Sequence, residues 1–263
     1  MNPNPYRPEK RRLIDIRRRT AGEYTLRIEF DRPTRPGQFF ELSLPKFGES
    51  PFSISEIGAG YIDMTIRNAG GRVTPAVTSL KPGRHLHIRG PYGNGFDLEE
   101  LKGRPLIVAA GGVGLSPVKP LIDHFRAHPE DCPDLQILLG FKKAEDILFP
   151  EDIEQWRTGG GLIMSLDQGR EDPRWRLGLL PQFVGETRVA DNTAAVVVGP
   201  PIMMKFTIQA LLEHGVAEER IWISQERKMC CGLGHCGHCK ISHSYVCLDG
   251  PVYNYAQCRD LFD

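Results

Sequence analysis

Four cysteines near the end of the chain carry the clearest chemistry. Cys231 and Cys236 are separated by four residues, Cys236 and Cys239 by two, and Cys239 and Cys247 by seven. C-x4-C-x2-C followed by a fourth cysteine is the plant-type [2Fe–2S] spacing, in which one compact loop wraps two irons. Gly232, Gly234 and Gly237 let the backbone curl and turn N–H groups toward the sulfurs, where they stabilise a negative cluster and tune its potential. Structural zinc is the alternative, but zinc ribbons favour two C-x2-C knuckles and the chain has one. A Rieske centre needs two ligating histidines; Cys236-Gly237-His238 supplies half of that motif, and His235 and His238 read as surface neighbours. Cys230 adjoins the first ligand, and the four-residue gap selects Cys231. Cys132 and Cys258 read as ordinary thiols. Six of the seven cysteines lie after position 229, which suits a metal site better than the dispersed framework of a secreted disulfide scaffold.

Two glycine-rich loops form the second constellation. Val108-Ala109-Ala110-Gly111-Gly112-Val113-Gly114-Leu115-Ser116-Pro117 ends an apolar strand and opens a helix. Such a loop lets backbone N–H groups approach a pyrophosphate. Its spacing is not G-x-G-x-x-G, and a tight structural turn is the plainer alternative. Gly199-Pro200-Pro201-Ile202-Met203 ends another apolar strand. In a doubly wound sheet both loops belong at the carboxyl edge, where ligands bind. Nearer the start, residues 50–55 read as a proline-containing strand with alternating hydroxyls, by default an edge strand. Gly70-Gly71-Arg72-Val73-Thr74 opens a short helix, and residues 90–96 form a turn whose aromatic can pack on a ring.

The elements that must hold these residues fall into three stretches. Residues 1–100 carry short strands at 24–30, 39–44, 61–67 and 85–89, punctuated by Gly and Pro, the pattern of a small antiparallel barrel. The basic runs at 10–12 and 17–19 flank a first strand and read as a solvated face. Residues 101–224 alternate strands (105–110, 135–139, 162–166, 193–198) with helices (121–127, 151–157, 207–214), the pattern of a doubly wound parallel sheet. Residues 225–263 are Cys- and Gly-rich, too short to bury a core, and need a metal to hold together.

Composition is that of an ordinary globular chain: 40% hydrophobic, 25% charged, with 33 basic and 33 acidic residues and no net charge. That balance argues against nucleic-acid binding and leaves little self-repulsion against association. No segment reaches the ~18 apolar residues of a membrane span. The first dozen residues lack the apolar stretch of a signal peptide, so a cytoplasmic location is expected.

Taken in order, these pieces resemble the ferredoxin–NADP reductase superfamily, from Pro36-Gly37-Gln38-Phe39 onward. The resemblance is closer to its iron–sulfur electron-transfer subfamily, through ERKMCCGLGHCGHCKI at 226–241 and YVCLDGPVYNYAQ at 245–257. That subfamily includes the electron-transfer subunit of dihydroorotate dehydrogenase, the gamma subunits of soluble hydrogenases (sulfhydrogenases) and the electron-transfer subunit of anaerobic sulfite reductase. The ending Tyr253-Asn254-Tyr255-Ala256 looks most like the anaerobic sulfite reductase member, with the hydrogenase gamma subunit next. The resemblance implies a flavin-binding strand at Pro51, Phe52, Ser53 and Ile54. It implies a region for the FAD pyrophosphate at Arg67, Gly71, Arg72, Val73 and Thr74. It places NAD(H) or NADP(H) at Gly111, Gly112, Val113 and Gly114 with Gly199, Pro200, Pro201 and Met203. Many relatives begin the flavin strand with Arg where this chain has Ser50; Arg67 or Arg72 is then expected to supply the charge, and FMN stays open beside FAD.

The expected activity is exchange between two-electron and one-electron carriers, NAD(P)H and flavin on one side and the cluster on the other. No catalytic acid–base pair is called for. The partners expected are a catalytic reductase subunit, sirohaem or nickel–iron, and a further iron–sulfur subunit. Two rivals remain: a zinc-stapled, non-catalytic interaction module, and a stand-alone oxidoreductase of a small molecule. Lys142, Lys143 and Arg170 could meet a 2′-phosphate, but each is also an ordinary surface charge.

Overall fold

The alternating first stretch becomes six strands: β1 Glu9–Arg18, β2 Glu23–Glu29, β3 Phe39–Leu44, β4 Gly48–Gly58, β5 Tyr61–Arg67 and β6 His85–Tyr92. They pair antiparallel in the order β1-β2-β5-β4-β3-β6 and close into a barrel. Closure removes the exposed edges that an open sheet would present. The inward alternates, among them Leu13, Leu26, Ile28, Phe40, Leu42, Ile54, Met64 and Ile88, form one buried core. Each contributes about 1.5–3 kcal/mol by leaving water. A short helix, α1 Val73–Thr78, adds Val73 and Val77 to that core. The basic runs lie on β1 up to Arg18, with Arg19 just past it, and two of their residues pair with surface carboxylates, Arg12 with Glu29 at 3.3 Å and Arg17 with Asp15 at 2.8 Å.

The structure, a computed structural model, describes residues 4–259. After α2 Leu98–Leu101, the chain alternates β7 Leu106–Gly111, α3 Leu115–Ala127, β8 Leu135–Phe141, α4 Pro150–Thr158, β9 Leu162–Leu166, β10 Arg176–Leu177, β11 Ala194–Val198, α5 Pro201–Glu213 and β12 Ile221–Ser224. Two helices begin earlier than the sequence suggests, at Leu115 and Pro201. Pro117 in the first turn of α3 and Pro201 at the start of α5 lose no intrahelical bond there, and α3 carries a further proline, Pro120, in its interior. The cysteine tail adds a hairpin, β13 Lys240–Ile241 with β14 Ser244–Tyr245, and a last strand, β15 Val252–Asn254.

The larger sheet has the order β10-β9-β8-β7-β11-β12-β15; neighbours are parallel except β15, which is antiparallel to β12. β7, β8 and β11 are buried almost throughout, as parallel strands covered on both faces must be.

Two compact units result, one of residues up to 96 with 225–251, the other of 97–224 with the residues from 252. The expected stretch 225–263 is therefore divided: Cys231, Cys236, Cys239 and Cys247 belong with the barrel, and Val252–Asn254, like Cys258, belongs with the sheet unit. No helix among the described residues is long and apolar enough to cross a membrane.

Candidate functional site

In the barrel unit, the hairpin explains why Cys239 and Cys247 can act together across seven residues. Ile241 pairs with Ser244 around the two-residue turn Ser242-His243, and Ser242 takes φ 50°. The chain doubles back, and the Cys239 and Cys247 Sγ atoms lie 3.3 Å apart, both buried. Cys231 also acts on Cys236, whose pKa its backbone N–H and side chain help to lower. Gly232, Gly234 and Gly237 all take left-handed φ, near 70–78°. A Cβ on Gly232 would meet the Tyr92 ring at 2.9 Å, and one on Gly234 would meet Leu248 at 2.1 Å. The loop aims N–H groups at sulfur as the glycines suggested. Leu233 N and His235 N donate to Cys231 Sγ at 3.3 and 3.4 Å, and Gly234 N donates to Cys247 Sγ at 3.1 Å.

Electrostatics separates the cysteines. Exposed Cys236 is held below the usual thiol range by the N–H groups of His238 and Cys231. Burial, then the adjoining Cys239 thiol, pushes Cys247 up to about 12. A buried thiolate pair needs a compensating cation, which coordinated iron supplies. Among the described residues no three His, Cys, Asp or Glu side chains converge as a single-ion site. Four thiols presented by a loop rich in sulfur-directed N–H groups fit a dinuclear iron–sulfur group.

The loop is fastened to the barrel by a residue that sequence reading missed. The Arg89 side chain on β6 is 4% exposed. It donates to Cys231 O at 2.7 Å, Cys230 O at 3.0 Å, the Tyr92 hydroxyl at 3.1 Å, and both carboxylate oxygens of Glu49 on β4. Glu41 faces Arg89 in register across β3 and β6. It is fully buried, and neither carboxylate oxygen has a hydrogen bond. The only available signal was chemical: Glu41 and Arg89 are charged residues inside otherwise apolar strand patterns.

Burial, then the Glu49 charge, raises the Glu41 pKa to about 8, against a partial offset from Arg89. Below an ordinary carboxylate pKa of about 4.3, folded and unfolded chains both carry this proton. Above that value the unfolded chain releases it and the folded chain keeps it, so stability falls as pH rises until about 8. Glu41→Gln removes this loss. Thermal unfolding should show the variant's advantage over the parent growing across that window, and a constant difference would refute the assignment.

The other barrel residues are placed as follows. Pro51, Phe52 and Ser53 lie half-buried on β4, paired with Glu41, Phe40 and Phe39, and Ile54 is in the core. Gly71 and Arg72 precede α1, Val73 and Thr74 begin it, and Arg72 is an N-cap without a side-chain cap bond. Arg67 ends β5 and is bound to Glu23 at 2.6 Å. Arg72 donates instead to a neutral acceptor, Lys46 O, at 2.9 Å, and so is the better source of the positive charge that Ser50 lacks. Tyr92, expected to pack on a ring, lies against Gly232 and is 5.8 Å from the Phe39 ring.

In the other unit, β7 is the switch point: β8, β9 and β10 extend the sheet on one side, and β11 returns on the other. The two glycine loops therefore meet. A Cβ on Gly114 would lie 2.6 Å from Val198 O and 2.7 Å from Gly199 Cα; one on Gly111 would lie 3.0 Å from Met203 Cε and 3.2 Å from Pro200 Cδ. Gly112, Val113 and Gly114 form a 3-10 turn leading into α3. Ser116, in the first turn of α3, is 2% exposed and its hydroxyl has no partner. Pro200 and Pro201 start α5, and Met203 packs over both glycine loops. Lys142, Lys143 and Arg170 are exposed.

Comparison with known proteins adds to this geometry. Residues 226–259 match the iron–sulfur cluster binding domain of dihydroorotate dehydrogenase B, and residues 108–209 match the oxidoreductase NAD-binding domain. The chain is 33% identical to the sulfhydrogenase 1 gamma subunit of Pyrococcus furiosus, over 97% of this chain and 93% of that protein. It is 32% identical to a probable dihydroorotate dehydrogenase B (NAD(+)) electron-transfer subunit of Thermoplasma acidophilum, over 90% and 85%. Among solved structures, one described as an NADH-dependent reduced ferredoxin–NADP oxidoreductase superposes with a TM-score of 0.77 at 22% identity, over 96% of this chain and 92% of that one. A ferredoxin NADP+ reductase from Neisseria gonorrhoeae superposes with a TM-score of 0.69 at 16% identity, over 82% and 97%. These two structures share the fold.

Proposed function

This chain belongs to the family of iron–sulfur electron-transfer subunits on the ferredoxin–NADP reductase-like fold, with the sulfhydrogenase gamma and dihydroorotate dehydrogenase B electron-transfer subunits, and from that premise we propose that it links NAD(P)H, FAD and a [2Fe–2S] cluster to the catalytic subunit of a hydrogenase-type complex. The chain is an oxidoreductase subunit. The observation that supports the cluster type is the buried Cys239–Cys247 pair beside Cys231 and Cys236, in a loop whose N–H groups point at the sulfurs. One tetrahedral zinc asks for four ligands around one point, whereas a two-iron rhomb asks for two pairs.

When bound, the three cofactors supply hydride chemistry, its conversion to single electrons, and one-electron carriage. The chain's own residues bind and orient them. Gly111, Gly112, Gly114 and Gly199 let the two loops approach closely at the switch point, where their backbone N–H groups would hold a nucleotide's pyrophosphate. Pro51–Ile54 on β4 would hold the flavin, and Arg72 would offer a positive charge to its phosphates. The cysteine loop keeps Cys239 and Cys247 out of water and presents Cys236 at the surface, so the Cys236 side of a bound group would be the one open to a partner. No side chain is needed to move a proton at a reacting atom.

The sequence favoured a sulfite reductase partner because of Tyr253-Asn254-Tyr255-Ala256. That ending has an architectural explanation: Tyr253 and Asn254 pair with β12, Asn254 accepts from Ala256 N at 3.2 Å and donates to Glu219 O at 2.7 Å. It therefore discriminates poorly between partners. Near-full-length similarity to a sulfhydrogenase gamma subunit supports the alternative.

Anaerobic purification tests both levels. The expected result is two irons and two acid-labile sulfides per chain, acid-released FAD, and visible bands bleached by NADH or NADPH. A colourless protein with one zinc would overturn it. Nickel in the co-purified native complex would support the hydrogenase partner, and sirohaem would replace it with sulfite reductase.

A further inference from the structure

The buried charges beneath the cysteine loop have no part in binding nucleotide or flavin as described above. We propose that Arg89 is a positioning residue that locks the 230–231 backbone to the barrel and, opposed by Glu49, sets the reduction potential of the iron–sulfur group. This rests on the reading that the four cysteines hold such a group.

Three observations carry it. First, the guanidinium joins three separate segments: β6 through its own backbone, β4 through Glu49, and the loop through the Cys230 and Cys231 carbonyls. Its planar fork serves five acceptor atoms, the Tyr92 hydroxyl included, a set that an ammonium with three donors cannot match. Second, the charge is almost wholly buried, where electrostatic interactions are stronger than in water. Reduction adds one negative charge to a group whose ligand backbone touches this cation, so the cation favours the reduced state. Third, the groups around Arg89 oppose it. Glu49 forms an ion pair with it, Glu41 faces it from β3, and the Tyr92 hydroxyl accepts a hydrogen bond from it. Net charge and hydrogen bonding near a cluster are the levers that set its potential.

The opposing charges give the test a sign. Arg89→Gln removes the cation and should lower the potential; Glu49→Gln removes the anion, keeps Arg89 on the loop carbonyls, and should raise it. The measurement is a redox titration of the full, cofactor-loaded chain followed by electron paramagnetic resonance, held near pH 6. At the parent's midpoint, Arg89→Gln should cut the reduced-to-oxidised ratio about tenfold, or ~59 mV for one electron. Glu49→Gln should move the ratio the other way. Arg89→Lys should retain most of the potential but lose iron faster to a chelator. If Arg89→Gln fails to load, the Glu49→Gln shift still decides. Shifts of the same sign, or none in loaded protein, overturn the proposal and leave Arg89 a structural clamp. A parent chain without iron overturns the cluster reading itself, which is a separate outcome.

Discussion

Cys247→Ala should strip the iron–sulfur group and abolish electron delivery to the partner, while NAD(P)H-driven reduction of a two-electron dye persists. Cys247 is buried 3.3 Å from Cys239 Sγ and also accepts from Gly234 N. Removing it would take one of the four proposed protein ligands from the group, in a buried pocket. Changes in outer-sphere partners alone cost roughly 10–100-fold in metal affinity, and loss of a ligand should exceed that. The flavin and nucleotide residues depend on other elements: β4 and α1 belong to the closed barrel, and the glycine loops end strands of the parallel sheet. Iron content and the visible spectrum report the first effect, and steady-state dye reduction reports the second. Equal loss of dye reduction would mean that the cysteine loop supports the flavin site directly. Cys236→Ala makes an instructive companion. Its thiol is exposed and carries its negative charge more readily than Cys247, so residual iron should be more accessible to chelators there.

Much of this design was legible because it rests on local chemistry. Spacing marked the cysteines, and strand periodicity marked both the barrel and the sheet. The glycines at 232, 234 and 237 announced a curled loop, and their left-handed backbone follows. What escaped was long-range. Nothing local says that 225–251 belongs with a barrel completed more than 130 residues earlier, because that attachment depends on Arg89 reaching two carbonyls, and carbonyls carry no sequence signature. The same limit applies at the other end of the tail. Val252–Asn254 was read as part of the cysteine segment, but its backbone completes the sheet beside β12. The helix start at Pro201 was hidden for a different reason, since proline fits a first turn, and α3 runs from Leu115 through an interior Pro120 that local sequence does not lead one to expect. Partner choice was the least legible of all, for residues 253–256 serve the sheet edge and so give little information about what docks.

Gly114→Ala should damage the nucleotide site by adding a single methyl group. Gly114 has an ordinary helical φ of −60°, so alanine meets no backbone strain there. The obstacle is space. The new Cβ would lie 2.6 Å from Val198 O, 2.7 Å from Gly199 Cα and 2.8 Å from Gly199 N. All three are backbone atoms at the end of β11, and none can rotate away as a side chain would. The loops must separate, and overpacking of this kind typically costs about 1–3 kcal/mol. Separation also moves Gly199, on which an added Cβ would lie only 3.1 Å from Gly111 N, and so disturbs the edge at which the pyrophosphate is proposed to sit. The expected result is a KM for NAD(P)H raised about tenfold or more, corresponding to a binding loss of about 1.4 kcal/mol, and a lower unfolding temperature. Flavin and iron content should stay at parental levels, since their proposed ligands lie in the barrel unit. Gly185→Ala is the matched control in the same unit: no atom lies within 4 Å of its added Cβ, and neither KM nor unfolding temperature should change. An unaltered KM in Gly114→Ala, with the control also silent, would remove the nucleotide from this switch point and leave the close approach of the two loops as a packing feature of the sheet.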